Sequence, residues 1–457
     1  MTAIETLATF LAEGLRVPAT TRANAQRHLT DTVGAWVAGA ATQEGRTLLA
    51  SRTDGEIDVG TPSALARLSE IDNIHLASAT TPGGIIIPAA LTLAAARGAD
   101  GAALTGAIVA GIEAMVRLGL AIDGPQVIYR GIWPTYFAAP FGIAAVAARL
   151  HGFDAEQTGH ALALALTFAA PGVGHHNAAT TSRWFAIAQA ARNGLVAARA
   201  AQAGFTSDLS LLDGGFLHGI FGITPNLDAV TQGLGERFAL DEASFKPWCA
   251  ARQTMAATQA LKEILADGVS PVQIRSVEVA QPPPYLKMTD HGVVSGDRAS
   301  HLTSFPYHLA IAACDPDAEF DIAQSPPSVP EPVRAFMAKV TVIADAALLA
   351  HYPAAWPARL VVRTADGAHE RLMLNVPGDP ARPLSDAELG LKFRRFVAGA
   401  AGGPAAESLL AACASALETA GAAGQLVARI EGLLCRSSNA EVGRLFTENA
   451  GGTARAN

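Results

Sequence analysis

Between residues 2 and about 240, apolar side chains recur at three- and four-residue spacing almost without a break, the period of helices that bury one face. The segments 87–96, 101–120, 138–150, 154–168 and 186–203 all carry this period. Gly and Pro punctuate them at Pro82-Gly83-Gly84, Gly124-Pro125 and Pro171-Gly172. Asp154 followed by Gln157 has the form of a capped helix start. Alanine dominates the apolar set and aromatic residues make up only 6%. Small side chains of high helix propensity let helices approach closely, so this part of the chain predicts a stack of tightly packed helices.

The texture changes after Lys246-Pro247. Ile274, Val277 and Val279 lead into Pro282-Pro283-Pro284, as a short strand leads into a stiff turn, and 339–343 is a second strand candidate. Segments 359–363 and 369–376 flank Asp366-Gly367, a strong hairpin signal. Helical patterning then returns, with Ser385 as a cap before Leu389, Phe393 and Phe396, and with further helices at 405–420 and 426–435. A chain of 457 residues exceeds one ordinary core. The expected fold is mainly α with an α+β insertion. Residues 1–244 and 381–457 form a large all-helical domain, and residues 245–380 form a smaller α+β lid domain.

A net charge of −8 argues against a general nucleic-acid or anionic-membrane binder, because both need a basic face. Cys249, Cys314, Cys413 and Cys435 are scattered without a CxxC pair, which suits reduced thiols better than a zinc site or disulfides. Residues 1–15 contain Glu5 and Glu13 and read as an amphipathic helix rather than a secretory leader. The most apolar windows are interrupted by charge, Gly or Pro before the roughly 20 residues that span a bilayer. A cytoplasmic protein is the expectation. Walker, GxGxxG, GxSxG and HExxH signatures are missing, and the adjacent His175 and His176 would diverge on regular structure. No metal or other cofactor is therefore expected.

Polar residues inside apolar, Gly/Pro-bounded turns are the candidates for chemistry. His75 precedes Thr80-Thr81-Pro82-Gly83-Gly84, where the first amides of a helix could meet an anion. A capping loop with a satisfied histidine accounts for the same pattern. Tyr129-Arg130-Gly131-Ile132-Trp133 with Tyr136 is an aromatic and cationic cluster, or simply a packed turn. Arg183 opens an apolar helix shortly after His176, and arginine is rarely buried without an anionic partner. That partner is a substrate carboxylate or an internal acid. Lys246 stands at the change of texture, and Tyr307 lies in an apolar run of the smaller domain.

In this order, the segments resemble the MmgE/PrpD family over nearly the whole chain. The resemblance is carried by Asp31-Thr32-Val33-Gly34, Thr81-Pro82-Gly83-Gly84, Arg130-Gly131, Ala190-Ala191-Arg192-Asn193-Gly194, Asp213-Gly214-Gly215-Phe216, Phe245-Lys246-Pro247 and Ser304-Phe305-Pro306-Tyr307. It implies a homodimer of cofactor-free subunits, each with its active site between the helical domain and the lid. The family's activities include dehydration of 2-methylcitrate, decarboxylation of cis-aconitate and epimerisation of iminodisuccinate. Lys246 matches the family's active-site lysine, Tyr307 its Ser-x-x-Tyr tyrosine, and Arg183 stands where relatives carry lysine.

The departures bear on the reaction. Relatives carry Asp-Phe-Asp-Asp followed by His-Pro, where this chain has Glu70-Ile71-Asp72-Asn73 and Thr81-Pro82. They also carry Gly-Phe-His, where this chain has Gly131-Ile132-Trp133, so two family histidines are absent and His75 appears instead. Taking a proton from carbon beside a carboxylate requires cations or donors for the developing charge and a base of suitable pKa. Arg183, Lys246, Arg298, Arg130, His176, Thr81 and the Gly83 amide are the expected binding groups. His75, Lys246, Tyr136 and Tyr307 are the expected acids and bases, with phenol and amine pKa values lowered by a cationic pocket. Dehydration also needs an acid for a departing hydroxyl, and the missing histidines remove the obvious donors. The expectation is therefore an epimerase acting on iminodisuccinate or a similar amino polycarboxylate, with a hydro-lyase on a tricarboxylic acid as the alternative.

Overall fold

The computed structural model describes residues 1–52, 57–170, 180–323, 326 and 328–435. Helices dominate the first half, and the longest runs follow the apolar period. They include Ala19–Ala40, Pro82–Arg97, Gly101–Ala121, Pro134–His151, Ala155–Thr167 and Ser182–Gln202. Asp154 caps the Ala155–Thr167 helix by accepting from the Gln157 amide at 2.8 Å. Gly111 and Gly142 allow the Gly101–Ala121 and Pro134–His151 helices to meet backbone to backbone. A Cβ on Gly111 would lie 2.4 Å from the Val146 side chain, and one on Gly142 would lie 2.9 Å from the Gly111 carbonyl.

Gly101–Ala121 corrects one expectation, because its 21 residues are long and apolar enough to cross a membrane. Its glycines pack against neighbours rather than breaking the helix. Its two charges, Glu113 and Arg117, pair with each other at 2.7 Å. With 89% of its apolar window buried, it is a core helix of this fold.

The expected helical continuity also ends early. From residue 203 to 251 the chain forms only the short helices Phe216–Phe221, Leu227–Thr231 and Ala239–Glu242 among turns. Gly204, Gly215, Gly222, Gly233 and Gly235 all adopt positive φ there, a conformation that stops a right-handed helix.

Four strands follow. β1 (Ser276–Gln281) runs parallel to β2 (Val340–Ala344), with Val277 opposite Val340. β1 is antiparallel to β3 (Ala358–Arg363), with Val279 opposite Leu360. The Asp366-Gly367 turn joins β3 to the antiparallel β4 (Ala368–Met373), giving the order β2-β1-β3-β4. The helices Arg252–Ala266 and Phe305–Cys314 pack beside this sheet and share its apolar core with Val277, Val279, Leu360 and Val362.

The Asp386–Ala401 and Gly403–Ser415 helices return to the N-terminal helices. Ser385 and Glu388 form a reciprocal capping box at the start of the first. Phe393, Phe396, Leu409 and Leu426 join Trp36 and Phe141 in the larger core. Lys392 reaches across to a buried ion pair with Asp31 and donates to the Ile71 carbonyl at 2.8 Å. The architecture is mainly α with a small mixed sheet, and residues from both ends of the chain share one core.

Candidate active site

A cavity lies where the first helices meet the part of the chain that carries the sheet. Arg67, Glu70, Thr81, Tyr136, Arg183, Lys246 and Arg252 line it, with Trp133, Trp184 and Trp356 as aromatic walls. Arg67 comes from the last turn of a fully buried helix, Gly60–Leu68, which ends as the chain turns through Glu70. Glu70 takes a left-handed conformation, φ 58°, that a residue with a side chain adopts only under constraint. The constraint is visible on both sides. The Ser69 carbonyl accepts from Arg298 Nη2 at 3.2 Å and from Cys249 Sγ at 3.2 Å, while Lys246 Nζ donates to the Glu70 carbonyl at 3.3 Å.

Lys246 is 1% exposed, and its ammonium lies 2.8 Å from Glu70 Oε2 and 3.9 Å from Asp72 Oδ1. Arg67 Nη1 meets Glu70 Oε1 at 2.9 Å and Asp72 Oδ1 at 3.4 Å. Burial pushes the Glu70 carboxyl up, but Arg67 and Lys246 together outweigh it and hold the group ionised below the usual carboxylate range. Asp72 moves the other way. Its burial outweighs the same two cations, helped by the neighbouring charges of Glu70 and Asp31. Adjacent carboxyls with opposite shifts separate into one charged partner for Lys246 and one group disposed to hold a proton.

Tyr136 is 2% exposed in the first turn of the Pro134–His151 helix, edge-on to Trp133. Burial raises its phenol to about 12 against the opposing pull of Arg67 and Arg183. The expected lowering of this tyrosine's pKa is thus reversed: desolvation exceeds the attraction of two cations, and the phenol is a neutral donor. Arg183 is buried at the start of its helix, with its guanidinium over the Trp133 and Trp184 rings at 5.7 and 5.8 Å.

The structure brings Lys246, Tyr136, Arg183 and Thr81 into one cavity and leaves other expected residues outside it. The Ser78 amide donates to His75 Nδ1, so the proton of the neutral ring sits on Nε2, which faces Glu242 at 3.4 Å. That edge of His75 borders a separate pocket with Glu113 and Arg117. Tyr307 packs in the core beside the sheet, edge-on to His301 and His308. Ser304 starts the Phe305–Cys314 helix by accepting from the Tyr307 amide, and the phenol lies on the face that this helix buries against the sheet. Arg298 bonds the Ser69 and Ile322 carbonyls through Nη2 and Nε and does not line the cavity. Arg130 is exposed and bonds the Phe221 carbonyl at 2.7 Å. The Gly83 amide donates to Asn73 Oδ1 at 2.8 Å, so it is not offered to a ligand. His176 lies outside the described residues.

Arg67, Arg252 and Trp356 join the site without having stood out along the chain. Their available signals were a buried-looking arginine in an apolar helix beside two acids, and an arginine shortly after Lys246.

His28 supports the site from behind. It stacks on Phe245 at 4.2 Å, next to Lys246. Because Asn73 Oδ1 is occupied by Gly83, the Asn73 amide nitrogen faces His28 Nδ1 at 2.7 Å, which fixes a neutral imidazole. Burial, then the Arg27 and Lys392 charges, hold its pKa down to about 3. The unfolded chain binds this proton near pH 6.5, so the stability contribution is complete above that pH and lost as pH falls toward 3. Denaturant titrations should show about 2 kcal/mol lost to this residue between pH 6.5 and 5, a slope that His28→Gln removes. An identical slope in the variant would reject the assignment.

Residues 61–226 match the MmgE/PrpD N-terminal domain and residues 248–416 match the MmgE/PrpD C-terminal domain. No curated protein matches the chain. The two matches run in chain order over most of its length and flank the segment that carries Lys246, and so the chain belongs to the MmgE/PrpD family, whose members include dehydratases and epimerases.

Proposed function

We propose that the chain catalyses cofactor-independent 1,1-proton transfer at the α-carbon of iminodisuccinate or a similar amino polycarboxylate. One observation carries the reading: the neutral Tyr136 phenol and the Lys246–Glu70 pair line the same buried cavity as Arg183 and Arg67. Arg183 meets a substrate carboxylate and offsets the charge that develops beside it. Lys246 gives up its proton toward Asp72, 3.9 Å away and the carboxyl of the two that burial disposes to hold one, and becomes an amine. The amine takes the α-proton, and Tyr136 delivers its own proton to the opposite face of the carbanion. The product leaves Lys246 an ammonium, Asp72 protonated and Tyr136 a phenolate that Arg67 and Arg183 stabilise. The reverse turnover or exchange with solvent resets the pair. Tyr136 takes the place that sequence reasoning offered to His75, whose ring is committed to Ser78 and Glu242.

Turnover in deuterium oxide tests the reading. Deuterium is expected at the α-carbon of iminodisuccinate, with no loss of water or CO₂. Much faster turnover of 2-methylcitrate, with an unsaturated product absorbing in the ultraviolet, would establish the hydro-lyase alternative and overturn the epimerase.

A further inference from the structure

On the sheet side of the cavity, two buried lining residues present hydrogen-bond donors that no described residue answers. Arg252, 1% exposed, spends Nη2 on Asp379 at 2.7 and 3.0 Å, while its Nε and Nη1 have no partner among the described residues. Trp356, 2% exposed, likewise has no partner among them for its indole Nε1. Both side chains are held in place. Arg252 is anchored by Asp379, which also accepts from the Val376 amide, and the Trp356 indole packs against Tyr285 and Tyr352. Guanidinium and indole groups donate only. Leaving such groups dry and unanswered is costly, so a ligand that fits them must bring acceptors, and beside a fixed positive charge an anionic acceptor is favoured. Glu70, the one carboxylate lining the cavity among the described residues, already belongs to Arg67 and Lys246.

We propose that Arg252 and Trp356 form the recognition site for a second, distal carboxylate of the substrate, opposite the carboxylate beside the reacting carbon. This rests on the reading of the cavity as a site for a carboxylate-bearing substrate. Within the polycarboxylates proposed above, it assigns the second carboxylate to the part of the chain that carries the sheet. Asp379 then acts on the ligand through Arg252. It orients the guanidinium and tempers its charge, so that Nη1 and Nε remain for the ligand.

Calorimetric binding of succinate and butyrate, of equal chain length with two carboxylates and one, separates this from a merely structural arginine. The folded wild type is expected to bind succinate at least about tenfold more tightly than butyrate. Trp356→Phe keeps an aromatic ring and loses one donor, and should weaken succinate roughly tenfold while leaving butyrate unchanged. Arg252→Gln combined with Asp379→Asn removes both buried charges together, and should weaken succinate about a hundredfold with little effect on butyrate. Equal affinity for the two acids in the wild type, no succinate binding, or a preference that survives in both variants would overturn the proposal. Deuterium incorporation is read separately. Exchange at the α-carbon with an unchanged acid preference rejects this site alone, whereas a lost preference in the variants with no exchange in the wild type rejects the proton-transfer reading alone.

Discussion

Lys246→Met is expected to slow α-deuterium exchange by about 10⁴-fold, because it removes the base. The side chain is 1% exposed and its ammonium contacts the Glu70 carboxylate at 2.8 Å. Glu70 loses one of its two cations and keeps its contact with Arg67, so the variant should also lose about 1–3 kcal/mol of stability. A loss of folding could then masquerade as a loss of chemistry. The double variant Lys246→Met/Glu70→Gln separates the two, since it removes both charges and leaves Arg67 paired with Asp72. Its expected behaviour is recovered stability in denaturant titration with exchange still abolished. Near-normal exchange in that stable double variant would remove Lys246 from the mechanism.

Tyr136→Phe is the second large effect, an expected loss of about 10³-fold in kcat with KM changed less than about threefold. The phenol is buried and raised to about 12, so it enters the reaction protonated. A wild-type rate governed by its ionisation should therefore show no break from this group across roughly pH 6 to 10. The rate should fall only at higher pH, as the donor is lost, and the variant should lack that alkaline limb. The aromatic ring that packs edge-on to Trp133 is retained, so the fold should be little affected. A kcat within about threefold of wild type would assign the acid to another residue.

The two predictions divide the work between residues that are legible in the sequence to different degrees. Lys246 stands out at the change of texture, and Tyr136 stands in a cluster equally consistent with a packed turn. Only the cavity distinguishes Tyr136 from Tyr307: one phenol lines the site, the other packs in the core beside the sheet. Arg298 illustrates a different limit. Its charge suggests substrate binding, yet it bonds the Ser69 carbonyl and so steadies the strained Glu70 next to it.

What the sequence by itself determined is whatever local periodicity controls. The helices of the first half, the hairpin at Asp366-Gly367, the Ser385 cap and the return of the C-terminal helices all follow from side-chain spacing and turn chemistry within a few residues. The break after residue 203 escapes that reasoning, because an apolar period persists there while successive glycines take positive φ. Which polar groups share a cavity was decided by the tertiary structure alone. Arg67, Tyr136, Arg183, Lys246 and Arg252 are drawn together from distant parts of the chain, and their charge states depend on burial and neighbours that spacing along the chain does not encode. The same physics withdrew His75: its polarity is evident in the sequence, but the direction of its ring is set by Ser78 and by Glu242, 167 residues away.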